Sequence, residues 1–177
     1  MADPSPGRFT HGRHAGVIAP LFSIPSASSW GIGEIADLPV LARWLESAGL
    51  DFVQLLPINE MPGGQSSPYS ALSAMAIDPI YLAIERLEDF RAAGGLDALS
   101  GEGRGRVSDL RGSTRVAYEE VRAAKRGALA IAFNRFTTSA AADSPRLRAF
   151  ESFVAQEAWW LDTYALFRAL HDEHEGR

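Results

Sequence analysis

The sequence contains no cysteine, which excludes disulfide bonds, thiolate metal ligands and cysteine nucleophiles. Long apolar runs are also missing. Charges or prolines interrupt each candidate before it reaches the roughly 20 residues that a membrane-spanning helix needs. The first residues, "MADPSPGRFTHGRHAG", lack the apolar segment of roughly 7–15 residues that a secretory signal peptide carries. We therefore predict a cytoplasmic protein with no membrane partner.

The composition is that of a folded protein with one core. The chain has 177 residues, of which 46% are hydrophobic and 22% are charged. Its net charge of −5 is unevenly spread, since Arg104 to Arg148 contains ten basic and four acidic residues. A basic stretch can bind nucleic acid. Here the bases alternate with apolar residues, which is typical of the solvated face of an amphipathic helix, and we predict no nucleic-acid partner. The bases in question are Arg115, Arg122, Lys125 and Arg126.

The first half of the chain reads as a strand, a helix and a second strand. Residues 15–26 have strand character, apolar residues recur at helical spacing over about 35–48, and 51–58 form an apolar run of strand length. Gly49 is a suitable helix stop. This order predicts a βαβ unit with parallel strands and a right-handed crossover, with the second strand buried on both faces.

The rest of the chain reads as a loop followed by helices. The loop includes "QSSPYSALSAMAIDP" at 65–79, and a short extended piece then leads into a helix that stops at Gly94-Gly95. Residues 96–114 have many glycines and little periodicity, so we interpret them as a connector. Two longer helices follow, at about 115–136 and 144–174, the second with a possible break.

Four blocks of this sequence resemble one enzyme family in their order and spacing. They are "GVIAPLFSIPS…WGIGEI", "FVQLLPI", "SSPYSALSAMAIDP" and "FESFVAQEAWWLDTYALFRAL". The resemblance is to the amylomaltases, the 4-alpha-glucanotransferases of glycoside hydrolase family 77, and extends from about Gly16 to Leu170. The chain departs from the family pattern in several places. Ser66 and Ser70 flank Ser-Pro-Tyr in place of Asp and Gln, Ile77-Asp78 replaces Gly-Asn, and Trp30 replaces a tyrosine.

The resemblance implies an α/β fold: the N-terminal part of a (β/α)8 TIM barrel with a helical insertion, the barrel being incomplete in this chain. We divide the chain accordingly into a mobile tail at 1–14, the first βα units at 15–95, and a connector with a helical insertion subdomain at 96–177.

The resemblance also implies an activity. Members of this family cut an α-1,4-glucan and transfer the released segment to the 4-hydroxyl of an acceptor such as glucose or a maltooligosaccharide. Retaining chemistry of this kind uses two carboxyl groups roughly 5–5.5 Å apart and needs no cofactor or metal. The family takes its catalytic acids from later strands, so the matching positions would lie beyond residue 177.

We therefore expect no catalytic residue in this chain. We also expect the isolated chain to lack transferase activity and to associate through uncovered apolar surfaces. Two alternatives stay open. One is a non-catalytic α-glucan-binding or interaction module, and the other is an inert product of a truncated gene.

Ser67 and Tyr69 are the predicted substrate-binding residues. The loop that carries them should leave the C-terminal end of the second strand, the face of a βα barrel where active sites are built. A tyrosine there can lay its ring against a sugar and donate a hydrogen bond from its hydroxyl. In the family that this chain resembles, the matching tyrosine lines the subsite at the scissile bond. The alternative is a tyrosine that packs beneath its own loop.

Other candidate sites have weaker support. Gly31 and Gly33 resemble part of a dinucleotide fingerprint, but Ala36 stands where the third glycine is needed, so we predict a tight turn. Glu60 is interpreted as a solvated loop acid, and Asp78 as a residue that hydrogen-bonds its own turn. Asp51, at the start of the second strand, is predicted to have a structural role.

The histidine pairs and the late aromatic residues are not predicted to form sites. The pairs His11/His14 and His171/His174 lack a convincing third ligand, and we interpret them as surface residues without a metal. The aromatic side chains near the end of the chain are predicted to pack between helices, with only one of two adjacent tryptophans central to the core. These residues are Phe150, Phe153, Trp159, Trp160, Tyr164 and Phe167.

Overall fold

The computed structural model describes residues 12–139 and 144–174. Most of the predicted tail, including His11, lies outside the described residues. The described part is an α/β structure that is mostly helical, with a two-stranded sheet near its start. The domain boundary that we placed at residue 95 stays a prediction.

The predicted strand–helix–strand unit is present. Strands β1 (Gly16–Ala19) and β2 (Phe52–Leu55) pair in parallel, with Gly16 opposite Phe52 and Ala19 opposite Leu55. Helix α1 (Leu38–Ser47) connects them, and Gly49 follows it with a φ of +72°, a left-handed conformation that glycine adopts without a steric penalty. The parallel pairing predicted from the sequence is confirmed.

The prediction that the second strand is buried on both faces is wrong for the described residues. No residue of β2 is buried, and Phe52 is 40% exposed. Ile18 on the neighbouring strand is 66% exposed. The apolar run has the composition of a strand covered on both faces, but among the described residues every second side chain of β2 is exposed.

Four further α-helices follow the sheet in the described residues. Helix α2 spans Glu88–Ala92, and Gly94 and Gly95 after it both have positive φ, which confirms the predicted stop. Helices α4 (Tyr118–Ser139) and α5 (Pro145–His174) lie within a few residues of their predicted positions. Helix α5 runs without a break.

Residues 96–114 are not a plain connector, because most of them form helix α3 (Gly101–Gly112). Ser100 caps this helix by accepting a hydrogen bond from the Gly103 amide at 3.0 Å. Only Val107 and Leu110 of α3 are buried. Helical periodicity was therefore too sparse to see among four glycines, and tertiary packing overrides their low helix propensity.

The core consists of two clusters of buried side chains, and each contains residues from both sides of position 95. The first comprises Leu21, Ile32, Met61, Ile80, Tyr81, Leu110 and Val121. The second comprises Trp30, Ile84, Phe90, Val107, Ala128 and Ala132. Trp30 is therefore a packed tryptophan, and its ring meets Phe90 edge-on at 6.1 Å.

A buried lysine connects the start of the chain to helix α4. The Lys125 ammonium group donates to Glu34 Oε1 at 2.7 Å and to the carbonyl oxygens of Ile80 and Leu82 at 2.6 and 2.9 Å. Its side chain is 1% exposed. Glu34 also accepts from the Trp30 amide at 3.2 Å. The Lys125 ammonium group thus joins three segments of the chain: the turn at Glu34, the residues after the loop at 80–82, and helix α4.

The prediction of a solvated basic face on this helix is therefore wrong for two of its four residues. Lys125 is buried, and the Arg122 side chain is only 13% exposed. Arg115 and Arg126 are exposed, as predicted. Helical spacing could not separate these residues because apolar positions occur on more than one side of α4.

The prediction that the aromatic residues of α5 pack between helices is also largely wrong for the described residues. No residue of α5 is buried, and Trp159 is 71% exposed. Trp160 is half-buried, and its indole donates to Glu157 at 2.6 Å on the same helix. Phe150 does contact Phe136 of α4, at 5.5 Å between ring centroids. Helix α5 thus has the aromatic composition of a buried helix, but most of its aromatic side chains are exposed among the described residues.

The central role of Lys125 can be tested by substituting it. We expect Lys125→Met to lower the free energy of unfolding by about 3–5 kcal/mol, because it leaves the Glu34 carboxylate buried without its partner. Arg126→Met, at the next and exposed position, should change the free energy by less than about 0.5 kcal/mol. Urea unfolding followed by circular dichroism measures both. Equal effects of the two substitutions would contradict the assignment.

Candidate functional site

The loop after β2 is closed at its base by backbone hydrogen bonds. Asn59 and Ile77 form an isolated antiparallel bridge, and the Glu60 amide donates to the Ala76 carbonyl at 3.0 Å. The Leu72 amide donates to the Glu60 carbonyl at 2.7 Å, which links the two arms a second time. We call residues 59–77 the substrate loop, after the prediction that Ser67 and Tyr69 within it bind substrate.

Both predicted substrate-binding residues lie at the exposed part of this loop. Tyr69 is 73% exposed and Ser67 is also exposed. The Ser70 amide donates to the Ser67 carbonyl at 3.1 Å, so a tight turn presents the tyrosine. The alternative that Tyr69 packs beneath its loop is wrong. Its ring is free to lie against a ligand, and its contact with sugar stays a prediction.

Asp78 fixes the end of the substrate loop. Its carboxylate is fully buried and accepts hydrogen bonds from the amides of Ile80 at 3.1 Å and Met61 at 3.3 Å. Arg122 of α4 donates to both carboxylate oxygens, each at 3.2 Å. The predicted bond within its own turn is confirmed by the Ile80 contact. The contacts with Met61 and Arg122 were not predicted.

Glu60 is not a solvated acid, so that prediction is wrong. It is 4% exposed and lies 3.2 Å from Arg168 of α5 through Oε1. Its second oxygen, Oε2, is buried without a hydrogen-bond partner among the described residues. Burial raises the pKa of the Glu60 carboxyl, and the positive charge of Arg168 opposes that rise. The sequence around Glu60 predicted an exposed side chain because Arg168, its partner on α5, lies more than a hundred positions later.

These two acids stabilise the structure and show no arrangement for catalysis. Asp78 is held by Arg122, and Glu60 by Arg168, so each carboxylate has a cationic partner. A pair of catalytic carboxyl groups must instead face a ligand from two sides. No catalytic residue was predicted in this chain, and the geometry around Glu60 and Asp78 provides no reason to add one.

The glycines near the start of the chain serve packing. Gly31 has a φ of +75°, and a Cβ at Gly33 would lie only 1.9 Å from the Leu21 carbonyl oxygen. Gly31 therefore has the left-handed conformation of the tight turn that we predicted, and Gly33 is required because the Leu21 carbonyl leaves no room for a side chain. The adjacent Trp30 is buried and donates to Glu85 at 2.7 Å, so it does not reach a ligand groove.

Asp51 joins the starts of the two strands. Its carboxylate accepts from the Ala15 amide at 3.2 Å and lies 3.5 Å from His14 Nδ1. This is the structural role that we predicted. The described residues contain no group of three or more potential ligands that could hold a metal ion. Among the same residues, no helix is long and apolar enough to cross a membrane.

A cavity of about 490 Å³ lies between the first arm of the substrate loop and the two long helices. Met61 and Gly63 line it from the loop side, and Arg122, Arg126 and Arg168 line it from the helices. Neither Ser67 nor Tyr69 is among its lining residues. The structure thus separates the exposed tip of the loop from the charged layer beneath its base.

Sequence reasoning missed the helix residues that contact the loop. Glu119 accepts a hydrogen bond from the Gly64 amide at 3.0 Å, and Arg122 and Arg168 hold the two buried acids. The local sequence around each of these residues is that of an ordinary polar helix position. Only their partners, 44 to 108 positions away, reveal their role, as the numbering of each pair shows.

Comparison with known proteins identifies a family whose sequences are similar to this one. The family model of glycoside hydrolase family 77, described as 4-alpha-glucanotransferase, matches residues 19–177. A 4-alpha-glucanotransferase of Chlamydia pneumoniae is 30% identical over 91% of this chain and 29% of its own length. One from Chlamydia trachomatis is 37% identical over 89% of this chain and 28% of its own length.

A solved structure shows the same relation. The crystal structure of amylomaltase from Corynebacterium glutamicum matches with a TM-score of 0.63 and 28% identity, over 81% of this chain and 20% of that one. The chain therefore spans less than a third of the length of each of these relatives.

The raised pKa of Glu60 predicts a pH dependence of stability. The folded protein binds this proton more tightly than the unfolded chain, whose carboxyl titrates near 4.5. The stabilisation is therefore present below pH 4.5 and is lost as the pH rises through the higher pKa of the folded state. We expect the stability of the wild type relative to Glu60→Gln to fall over that window. Urea unfolding of both proteins between about pH 4 and 7 tests this, and parallel pH profiles would contradict it.

Proposed function

Because the chain belongs to the 4-alpha-glucanotransferase family, glycoside hydrolase family 77, we propose that it is part of a glucan-transferring enzyme. The reaction moves a segment of an α-1,4-glucan to the 4-hydroxyl of an acceptor such as glucose or a maltooligosaccharide. The match of the family model to residues 19–177 is the observation that carries this proposal. The exposed substrate loop provides the chemistry on this chain that suits a sugar ligand.

The two parallel strands are proposed to be the first strands of a (β/α)8 barrel. In such a barrel the loops that follow the carboxyl ends of the strands form the active site. The substrate loop begins four residues after β2 ends at Leu55, which suits that position. The exposed faces of Ile18 and Phe52 and the uncovered aromatic side chains of α5 are then surfaces that further barrel elements would cover. Association of the isolated chain through these surfaces stays a prediction.

Tyr69 and Ser67 are proposed to contact a glucose unit of the bound glucan. A tyrosine that is 73% exposed can stack its ring on the apolar face of a sugar and use its hydroxyl as donor or acceptor. The small neighbours Ser67, Ser70 and Ala71 leave room on both sides of the ring. The Ser67 hydroxyl adds a second group that can both donate and accept.

The catalytic carboxyl groups are proposed to be absent from these 177 residues. Retaining transfer needs a nucleophile and an acid/base about 5–5.5 Å apart. The two buried acids nearest the substrate loop, Glu60 and Asp78, are each held by an arginine. Binding and chemistry would then be separate properties of the intact enzyme, and this chain would retain only the first.

The alternative function is a non-catalytic α-glucan-binding module. The same two observations favour it, namely an exposed tyrosine on a firmly anchored loop and acids that are already paired. Both proposals predict sugar binding without turnover by these 177 residues. They differ in whether further barrel elements that supply the catalytic carboxyl groups complete the protein, and transferase activity of this chain joined to the remaining barrel of a family member would favour the first.

Sugar binding by the loop can be tested with Tyr69→Ala. We expect this substitution to weaken binding of maltoheptaose about tenfold, because the stacking surface and the hydroxyl are both removed. Tyr69→Phe keeps the ring and should have a smaller effect. Met75→Ala removes another exposed apolar side chain of the same loop and serves as the matched control. Isothermal titration calorimetry measures each affinity, and equal affinities for the wild type and Tyr69→Ala would contradict the proposed contact.

Absence of turnover is the second expectation. Purified chain incubated with maltotriose should release no glucose and form no longer oligomers, because a pair of catalytic carboxyl groups is missing. Thin-layer chromatography and a coupled glucose assay would detect either product. Disproportionation by the 177-residue chain would show that its own acids do the chemistry and would overturn this part of the proposal.

A further inference from the structure

The substrate loop is tied to the two long helices by charged side chains. Asp78, at the end of the loop, meets Arg122 of α4, and Glu60, at its beginning, meets Arg168 of α5. We infer that Arg122, acting through Asp78, is a positioning residue that sets the place of the substrate loop and hence of Tyr69. The link to sugar binding rests on the function proposed above, whereas the link to loop order does not.

The Asp78 carboxylate accepts four hydrogen bonds at the base of the loop. Asp78 Oδ1 accepts from the Ile80 amide and from Arg122 Nη1, while Oδ2 accepts from the Met61 amide and from Arg122 Nη2. Met61 belongs to the first arm of the loop, and Asp78 directly follows the second. The side chain thus bridges the two arms, and the guanidinium group fixes that bridge to α4 in a bidentate geometry.

The arrangement requires an aspartate and not an asparagine. An asparagine has one acceptor oxygen and one NH₂ group, so its nitrogen would face an arginine nitrogen together with either the Ile80 or the Met61 amide. Donors would then oppose each other in a fully buried place, which costs free energy.

Two further contacts act on the first arm of the loop. Arg168 holds the buried Glu60 carboxylate at 3.2 Å, and Glu119 accepts from the Gly64 amide at 3.0 Å. Residues 60, 61 and 64 are thus connected to α4 or α5 before the chain reaches the tip. Tyr69 itself is 73% exposed, so its position depends on how these arms are held and not on its own packing.

Hydrogen exchange of the loop amides tests the inference directly. We expect Arg122→Gln to speed exchange of amides in residues 60–76 at least about tenfold, because Asp78 loses two charge-assisted hydrogen bonds and the arms separate more often. Exchange in α1 and α3 should be unchanged. Arg126→Gln, one turn further along α4 at an exposed position without an ion pair to any described residue, should leave loop exchange unchanged. Equal loop exchange in the two variants would overturn the inference.

Two more variants separate positioning from general stability. Asp78→Asn should speed loop exchange as Arg122→Gln does, and combining both should add little, because each removes the same bridge. Arg122→Lys keeps the charge but loses the bidentate geometry, so it should restore protection only in part. Additive effects of Asp78→Asn and Arg122→Gln, or loss of protection throughout the molecule, would also overturn the inference.

Binding of maltoheptaose shows whether the ordered loop serves sugar recognition. If the wild type binds this probe, Arg122→Gln should weaken binding in proportion to the loss of loop protection, and Arg126→Gln should not. Unchanged affinity with a more mobile loop would overturn the link from Arg122 to Tyr69. If the wild type does not bind, the proposed sugar contact fails, and the exchange experiment still decides whether Arg122 positions the loop.

Discussion

The buried ion pair between Lys125 and Glu34 is the contact on which the described structure depends. Burial raises the pKa of Glu34, and the neighbouring ammonium group opposes that rise. The same ammonium group satisfies the carbonyl oxygens of Ile80 and Leu82, which would otherwise be buried without donors. One side chain of α4 therefore holds the turn before α1 and the segment after the substrate loop in fixed positions. Both hydrophobic clusters are built around elements that this contact brings together.

Further charged side chains of α4 and α5 contact the substrate loop and hold its base in place. Arg122 lies about one turn before Lys125 on α4. It donates to Asp78, which lies two residues before Ile80, whose carbonyl oxygen accepts from Lys125. Arg168 of α5 and Glu119 of α4 then reach Glu60 and Gly64. The loop can be exposed and rich in small residues because its order comes from its base. An exposed tyrosine needs such support if it is to meet a ligand in one orientation.

The surfaces that lack cover are as informative as the core. Helix α5 carries large exposed apolar side chains along its length, including Trp159 and Leu166, and the sheet exposes Ile18. Several large apolar side chains exposed on one helix are typical of an interface. The chain matches under a third of the length of the glucanotransferases described above. Under the function proposed above, these are the surfaces that further barrel elements would cover.

The sequence by itself determined the parallel βαβ unit, the stops at Gly49 and Gly94, the two long helices and the family, because periodicity, glycine positions and ordered motifs are local signals. It also predicted the loop with Ser67 and Tyr69 as the part most suited to a sugar. It did not reveal α3, whose glycines hide a helix with only two buried residues. Nor did it reveal that Lys125, Arg122 and Glu60 are paired rather than solvated, or that Asp78 meets an arginine in addition to its own turn. Only the tertiary structure decided those pairs, because a charged residue is buried or exposed according to partners that lie far away in the sequence.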